Sequence, residues 1–345
     1  MNERITRHVP KSTALILAGA VAKGAFEAGV LGALADHAAE VPIRRIIGTS
    51  SGALNGALYA LGVRAGEEVK AARALATLWE QSGSWHNALK LDLREIIERK
   101  GLGTAARIRS LLYEAAKGLR GSAGRPIDLQ LVLTRLDGDR GSIGVEAATT
   151  YEHVARFRDA EFDSEGHRAR IFETALGSAA FPGMFAPVDV RGIGLCIDGG
   201  AVNNTPIKLA LGDGTVERVI VVTAQPLLAQ EQSQGLSGLD LVSHFAQILV
   251  NERLYRDLRD AESVNRHLAE LEALVRDGVS PEVIQKVKAI FGWKPLELVQ
   301  IRPPDALPGS AFRAFSNGSL RREYILAGRE AAEIAIRTAL STDAR

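Results

Sequence analysis

The sequence predicts an α/β fold: a mostly parallel central sheet with helices on both faces, followed by a helical C-terminal part. Two strand-turn-helix units near the start carry this prediction. An apolar strand pattern at 13–17 precedes helical spacing at 25–37, and strand residues at 45–47 precede a helix at 53–61. Parallel strands require a crossover connection, usually a helix, so such units place their strands side by side. The 345 residues, 46% of them hydrophobic, suffice to bury a large core.

The later elements extend the same plan. Further strands are predicted at 129–133, 194–197, 219–223 and 296–301. Helices are predicted between 62 and 118, with breaks near Gly83 and 101–103, and again at 239–275, 281–290 and 320–340. No stretch rich in Pro, Gly or Ser marks a domain boundary. We therefore expect an α/β core over 10–225 and a helical extension over 226–345 packed on the same domain.

Composition excludes several classes of function. The 42 basic and 41 acidic residues leave a formal charge of +1, and only 5% of residues are aromatic, so a nucleic-acid partner is not expected. The single cysteine, Cys196, excludes an intrachain disulfide framework. No apolar run approaches the roughly 20 residues of a membrane-spanning helix. These observations predict a cytoplasmic protein, with any membrane contact confined to the periphery, and leave the oligomeric state undetermined.

The first residues mimic a secretory signal peptide: a basic stretch, an apolar run at 14–20 and an Ala-Val-Ala ending. We reject that interpretation because the apolar run continues directly into Lys23 and Gly24, a pattern typical of a buried strand turning into a helix. The run at 14–20 is therefore expected to be part of the fold.

The motif Gly48-Thr49-Ser50-Ser51-Gly52 fits G-x-S-x-G between a predicted strand and a predicted helix, the context of a nucleophile elbow. The tight turn exposes the central hydroxyl, and the helix behind it directs free N–H groups at a developing oxyanion. Ser50 is the predicted nucleophile. Ser51 is the weaker candidate because it is not central. The alternative is a small-residue turn with a serine N-cap.

A serine needs a neighbouring base to become nucleophilic. None of the seven histidines lies at a strand end beside glycine-rich turn chemistry. Asp198 does, because a short apolar strand ends there and Gly199 and Gly200 follow. Since sites of open α/β sheets lie at the carboxyl ends of the strands, Ser50 and Asp198 are expected to meet there. On its own, an Asp-Gly-Gly sequence is more typical of a plain turn.

Acyl transfer also needs donors for the tetrahedral oxyanion. The segment of residues 19–24, including Gly19, Ala20, Val21, Lys23 and Gly24, follows the first strand, and its backbone amides would face the nucleophile if the two strands are adjacent. It contains no G-x-G-x-x-G and no phosphate-loop ending, so a nucleotide cofactor is not predicted.

These blocks, together with 178–188 and 203–206, resemble the patatin-like phospholipase family in order and spacing over about residues 13–210. The resemblance implies a Ser-Asp dyad without histidine, a glycine-rich oxyanion loop, and hydrolysis of phospholipid or neutral-lipid acyl esters. Our mechanistic hypothesis is hydrolysis through an acyl-enzyme, which needs no metal or cofactor. The resemblance assigns Ser50 as nucleophile, Asp198 as base and the backbone of 19–21 as the oxyanion hole, with Lys23 at the family's basic position. Ala20 and Val21 depart from the family's successive glycines. If either position requires positive φ, a side chain there is unfavourable.

A basic segment between Arg99 and Arg125 is a candidate for contact with a lipid surface. Its basic side chains outnumber its one acid, Glu114, and interleave with apolar residues. Such a pattern fits contact with anionic lipid, although an ordinary solvated helix face is the simpler interpretation. The basic residues are Arg99, Lys100, Arg107, Arg109, Lys117, Arg120 and Arg125.

Two other functions remain open. One is an α/β-hydrolase with a Ser-His-Asp triad that uses His244 or His267, which the early position of the elbow disfavours. The other is a lipid-binding or regulatory protein that keeps the fold but has impaired catalysis, suggested by Ala20 and Val21.

Overall fold

A computed structural model describes residues 10–82, 106–120, 124–143, 146–211, 215–226, 238–292, 295–309 and 313–343. The predicted breaks near Gly83 and 101–103 lie outside these ranges. The strands are β1 (Thr13–Leu17), β2 (Ile43–Thr49), β3 (Asp128–Ile143), β4 (Glu146–Arg158), β5 (Val188–Val190), β6 (Gly194–Ile197), β7 (Arg218–Val222) and β8 (Glu297–Ile301).

The helices are α1 (Gly24–Asp36), α2 (Ser51–Ala65), α3 (Glu68–Thr77), α4 (Ala106–Lys117), α5 (Glu165–Ser178), α6 (Ile207–Leu211), α7 (Gly238–Arg276), α8 (Pro281–Phe291) and α9 (Gly318–Asp343). Short turns lie between them, including a π-helical turn at Leu78–Ser82 and 3₁₀ turns at Val21–Lys23 and Arg313–Ser316. Within the described ranges, no helix combines the length and apolar character needed to cross a bilayer.

The sheet has the order β5-β6-β3-β2-β1-β7-β8, and β4 pairs with β3. The neighbours from β3 through β2, β1 and β7 to β8 are parallel, whereas β4 and β6 pair with β3, and β5 pairs with β6, in antiparallel register. The predicted mostly parallel sheet is therefore confirmed. The sequence pattern did not predict β4, β5 or the extension of β3 beyond 133.

Two cores lie on the two faces of the sheet. Along β1, Leu15 and Leu17 join the larger core with α1, α2 and α5, while Ala14 and Ile16 join the smaller one with α6 and α7. This alternation follows from the period of two in a strand, and it requires a helical layer on each face because both sets of side chains are apolar. The predicted three-layer arrangement is confirmed.

The C-terminal part contributes to the same sheet and the same helical layer. The predicted strand at 296–301 is β8, which pairs with β7, and α9 packs along α1. Arg218, at the start of β7, is fully buried and pairs with Glu297 at the start of β8 and with Asp343 at the end of α9. These ion pairs fasten the C-terminal part at the amino edge of the sheet, the edge opposite the site described below.

Candidate active site

Ser50 occupies a strained turn between β2 and α2. Its backbone has φ 55° and ψ −125°, a conformation that non-glycine residues rarely adopt and that costs about 1–3 kcal/mol. The flanking glycines permit this turn because both lie against backbone. A Cβ at Gly52 would approach the carbonyl oxygen of Leu17 to 2.1 Å, and one at Gly48 would approach that of Gly52 to 2.6 Å. The motif thus forms the sharp elbow that its context predicted.

A second serine fixes the elbow from behind. The Ser50 backbone N–H donates to Ser178 Oγ at 3.0 Å, and the Ser178 hydroxyl donates to the Val132 carbonyl at 2.6 Å. Ser178 is fully buried at the end of α5. Ser178 therefore links the strained residue Ser50 to strand β3. Sequence reasoning did not identify this role, since a serine in a run of small residues carries no distinguishing signal.

Asp198 meets Ser50 directly: the Ser50 hydroxyl donates to Asp198 Oδ2 at 2.6 Å. The other carboxylate oxygen accepts the Gly200 N–H at 2.7 Å, and the Asp198 carbonyl accepts the Thr134 hydroxyl at 2.8 Å. Both side chains are largely buried, with Ser50 7% and Asp198 4% exposed.

The strand register explains how these residues meet. Thr134 of β3 pairs with Glu152 of β4 on one side and with Ile197 of β6 on the other, so β6 occupies the side of β3 that β2 occupies earlier. Strands β2 and β6 therefore approach each other head to head along β3. The sequence predicted that the two residues meet at the carboxyl ends of strands, and each of them directly follows such an end. Because β6 is antiparallel to β3, its carboxyl end faces that of β2.

Burial is the main influence on the pKa of Asp198. Burial raises the pKa of Asp198 to about 6, and the hydrogen bonds from Ser50 and Gly200 oppose this rise only in part. No cation pairs with its carboxylate among the described residues. A carboxylate held in this way is ionised at pH 7, but it is a stronger base than one in water.

The amides of the glycine-containing loop are partly engaged within the protein. Gly19 N–H donates to Asn204 Oδ1 at 3.0 Å, and Asn204 Nδ2 donates back to the Gly19 carbonyl at 3.2 Å. Ala20 N–H donates to Ser51 Oγ at 2.9 Å. Asn204 lies in the block 203–206 that resembles the family, but its contact with Gly19 was not predicted from the sequence. Ser51 thus serves the loop through its hydroxyl.

Val21 has φ 52°, the left-handed conformation for which a β-branched side chain is unfavourable. The conflict anticipated from the sequence is therefore present in the structure. Val21 begins the 3₁₀ turn of Val21–Lys23, and the first amides of a helical turn have no partner within it.

Lys23 and Gly24 lie beside the loop but outside the lining of the cavity. Lys23 is 6% exposed, and burial lowers the pKa of its ammonium group. Gly24 accepts the side-chain amide of Asn55 and leaves room for Ser51 and Trp79, since a Cβ there would approach each of them to 2.7 Å. Both residues thus contribute to packing around the loop.

A mostly apolar cavity lies beside Ser50 and is open to solvent. Its walls come from the loop, α2, α3, α4, the turn at Leu78–Ser82, the segment after α5 and the turn at Arg313–Ser316. They include Val21, Ser50, Ser51, Leu54, Asn55, Leu75, Leu78, Trp79, Ile108, Leu111, Leu112, Ala179, Phe181, Met184, Phe185 and Phe315. Such a lining suits a hydrocarbon chain whose reacting group lies at the serine.

The other sequence candidates lie elsewhere. The two histidines of the alternative triad, His244 and His267, belong to helix α7, and His267 is exposed there. The Ser50 hydroxyl donates to Asp198 instead of to a histidine. In the basic segment, Ile108, Leu111 and Leu112 line the cavity and Arg107, Arg109, Lys117 and Arg120 are exposed. Arg99 and Lys100 lie outside the described residues. Arg125 instead pairs with Glu68.

Comparisons with known proteins identify relatives of the chain. Two curated proteins described as uncharacterized NTE family proteins, from Mycobacterium bovis and Mycobacterium tuberculosis, are each 26% identical over 226 residues, which is 66% of this chain and 32% of the relative. The chain thus spans about a third of the length of these curated relatives.

Two solved structures are also similar. VipD from Legionella pneumophila is 12% identical with a TM-score of 0.44, and the match covers 96% of this chain and 68% of that one. Full-length ExoU in complex with SpcU from Pseudomonas aeruginosa is 14% identical with a TM-score of 0.34, covering 92% of this chain and 71% of that one.

The family model for patatin-like phospholipase matches residues 15–211, more than half of the chain. This range includes the last three residues of β1, the loop, the elbow, Ser178, Asp198 and Asn204. The chain belongs to the patatin-like phospholipase family.

Proposed function

We propose that the chain is a serine lipid acyl hydrolase in which Ser50 is the nucleophile and Asp198 is its base. The observation that carries this proposal is the 2.6 Å hydrogen bond from the hydroxyl of Ser50, which lines the apolar cavity, to the buried carboxylate of Asp198, which no cation pairs with in the described part of the chain. Membership of the family supports activity on lipids in general. The dyad and the acyl-enzyme are the finer parts of the proposal.

The reaction proceeds in two balanced steps. Asp198 takes the Ser50 proton as the serine oxygen attacks the ester carbonyl, and the collapse of the tetrahedral intermediate expels the alcohol, which receives that proton from Asp198. A water molecule then attacks the acyl-enzyme carbonyl and gives one proton to Asp198. When this second intermediate collapses, the fatty acid leaves and Asp198 returns that proton to the Ser50 oxygen. The strained turn assists because it holds the hydroxyl in position before the substrate binds.

The oxyanion requires donors that are free to bind it. In the resting structure the amides of Gly19 and Ala20 already donate to Asn204 and Ser51. The first amide of the turn, that of Val21, and the amide of Ser51 at the start of α2 are therefore the proposed donors, supplemented by the positive end of the α2 dipole. Asn204 holds the loop in place for this purpose.

The substrate class is an acyl ester of a phospholipid or neutral lipid, taken from a membrane surface by a cytoplasmic protein. Helix α4 supports surface contact, because its apolar side chains line the cavity while Arg107, Arg109 and Lys117 are exposed on it. Exposed cations near the surface of an anionic bilayer contribute about 1 kcal/mol each. We expect binding to anionic vesicles to weaken as the salt concentration rises.

A fluorophosphonate probe and a panel of acyl esters test the proposal. We expect the wild-type protein to be labelled and to hydrolyse at least one lipid, and Ser50→Ala to lose both properties while remaining folded. Ser51→Ala is the comparison variant: its labelling should be slowed but not lost, because its hydroxyl holds the Ala20 amide of the loop and does not attack the substrate. Lipid binding without labelling or turnover would instead support the impaired, lipid-binding alternative that the engaged amides suggest. Turnover in Ser50→Ala would refute the assigned nucleophile.

A further inference from the structure

Arg321 of α9 is a buried arginine whose described partners are backbone carbonyl groups. It is 5% exposed. Its Nε donates to the Trp79 carbonyl at 2.7 Å and its Nη2 to the Glu80 carbonyl at 3.1 Å. Its Nη1 donates to the carbonyls of Ala314 and Phe315 at 2.5 and 3.4 Å. One guanidinium group thus joins two segments that are more than 200 residues apart in sequence.

Both segments form the wall of the cavity beside Ser50. The turn at Leu78–Ser82 contributes the Trp79 side chain, and the turn at Arg313–Ser316 contributes Phe315. Arg321 itself does not line the cavity. It therefore acts on the wall from behind, through the backbone of the two residues that present the aromatic rings.

Trp79 is also held at its ring. The indole N–H donates to Asn55 Oδ1 at 2.8 Å, and Asn55 Nδ2 donates to Glu27 Oε2 at 2.7 Å and to the Gly24 carbonyl at 3.0 Å. Because the ring packs against Gly24 beside Ser51, its position determines how much room an acyl chain has near the elbow. The backbone of Trp79 is fixed by Arg321 and its ring by Asn55.

We propose that Arg321 is a positioning residue that sets the acyl-chain selectivity of the site by fixing Trp79 and Phe315 as the wall of the chain-binding cavity. This inference rests on the proposed hydrolase function. It goes further by naming the part of the chain that determines acyl-chain specificity. Arg321 and Phe315 both lie beyond residues 15–211, so selectivity is set in part from outside the segment that matches the family.

The chemistry of arginine explains why this residue suits the task. Its planar guanidinium carries five N–H donors in a fixed fork, so it can serve several carbonyls at once, whereas a lysine ammonium is a compact point charge. Burial of a cation is costly unless its donors are satisfied. Here Nε, Nη1 and Nη2 each donate to at least one of the four carbonyls, and the two segments are held together as a consequence.

A series of p-nitrophenyl esters with four to sixteen acyl carbons tests this inference. We expect Arg321→Met to change the ratio of kcat/KM for the longest and shortest productive esters by about tenfold or more, mainly through KM for the long ester. Hydrolysis of the four-carbon ester and labelling by a small fluorophosphonate should stay within about threefold of wild type, because the elbow is untouched. Arg322→Met is the matched control, since Arg322 is the exposed neighbour, and it should leave the whole series unchanged.

Phe315→Ala provides a second route that keeps the arginine. By enlarging the cavity it should move the preferred chain length upward even if Arg321→Met fails to fold. A purely structural role for Arg321 would lower Tm and reduce all esters in parallel, and this result, or an unchanged preference in Phe315→Ala, would overturn the inference.

Binding of a fluorescent twelve-carbon fatty acid separates this inference from the proposed function. If the wild-type protein hydrolyses no ester, the proposed function fails. In that case at least tenfold weaker binding of the probe by Arg321→Met, with Arg322→Met unaffected, still supports the positioning role, and equal binding by both variants refutes it.

Discussion

Two buried carboxylates, Asp198 and Asp343, lie at opposite edges of the same sheet in contrasting surroundings. The Asp343 side chain is 4% exposed and pairs with Lys11 at 2.6 Å and with Arg218. Burial opposes its ionisation, but Lys11 and Arg218 outweigh burial and hold the pKa of Asp343 below its usual range. Asp198 is 4% exposed as a residue, has no cation beside it among the described residues, and has its pKa raised to about 6.

The contrast distinguishes a buried acid that stabilises the fold, Asp343, from one that the proposed reaction uses as its base, Asp198. At the amino edge the charge is compensated, so the carboxylate fastens β7, β8 and α9 together. At the carboxyl edge the charge is left uncompensated beside a serine hydroxyl, so the fold bears a cost that yields a stronger base. Removing each charge should therefore change the free energy of unfolding in opposite directions, and only removal of the Asp198 charge should reduce turnover.

The largest effect is expected for Asp198→Asn. Turnover should fall by at least about a thousandfold, because an amide cannot take the Ser50 proton. At pH 8 the free energy of unfolding should rise by about 3 kcal/mol, since the raised pKa means that the folded state holds the ionised group unfavourably. Urea unfolding and a steady-state ester assay measure the two effects.

Asp343→Asn is the matched control. It should lower the free energy of unfolding at pH 7 by about 2 kcal/mol and leave turnover within about twofold, because charge-assisted bonds are lost far from the site. Full turnover in Asp198→Asn would exclude the assigned base. Equal stability changes in the two variants would show that the two environments do not differ as described.

The next largest effect concerns the loop. Asn204→Ala should reduce kcat by about tenfold to a hundredfold, because the loop loses both bonds that hold Gly19 and the oxyanion donors are displaced. Asn203→Ala is the control: the side-chain amide of Asn203 donates to Glu152, away from the loop. It should leave kcat within about threefold. Equal losses in the two variants would point to general destabilisation.

The dependence on pH follows from the pKa of Asp198. kcat/KM should rise with pH, reach half its plateau near pH 6, and be about a tenth of the plateau at pH 5, since only the ionised carboxylate accepts a proton. The free energy of unfolding changes with pH in the opposite direction. The contribution of Asp198 is fully present below about pH 4 and is lost as pH rises through 6. Parallel pH profiles of activity and of unfolding measure both; a profile centred near pH 4 would contradict the raised pKa.

The smallest effect concerns backbone strain at Ser50 and Val21, the two positive-φ residues of the site. Glycine relieves this strain and alanine does not, while both remove the side chain. We expect the Gly variant to be more stable than the Ala variant by about 1–2 kcal/mol at Ser50 and by about 1 kcal/mol at Val21. Thermal unfolding of the four variants measures the differences, and greater stability of either Ala variant would show that the position is unstrained.

Local sequence predicted the parts of the molecule that depend on neighbouring residues. The strand at 13–17, the elbow at Ser50 and the C-terminal helices followed from apolar spacing and from one motif, because burial on one face and tight turns leave periodic traces. Strand β4 was missed because its residues are mixed polar and apolar and follow a long antiparallel extension of β3. The Ser178 and Asn204 contacts were not predicted either, since a single small or polar side chain leaves no such trace.

By itself the sequence determined the α/β class, the nucleophile candidate, the acidic candidate and the conflict at Val21, because each depends on the identity of a residue within a short segment. Only the tertiary structure decided that β2 and β6 meet head to head and bring Ser50 within 2.6 Å of Asp198. It also decided that Gly19 and Ala20 already donate their amides, and that a C-terminal arginine supports the cavity wall. These facts depend on strand register and on the burial of groups far apart in the chain, which no local pattern encodes.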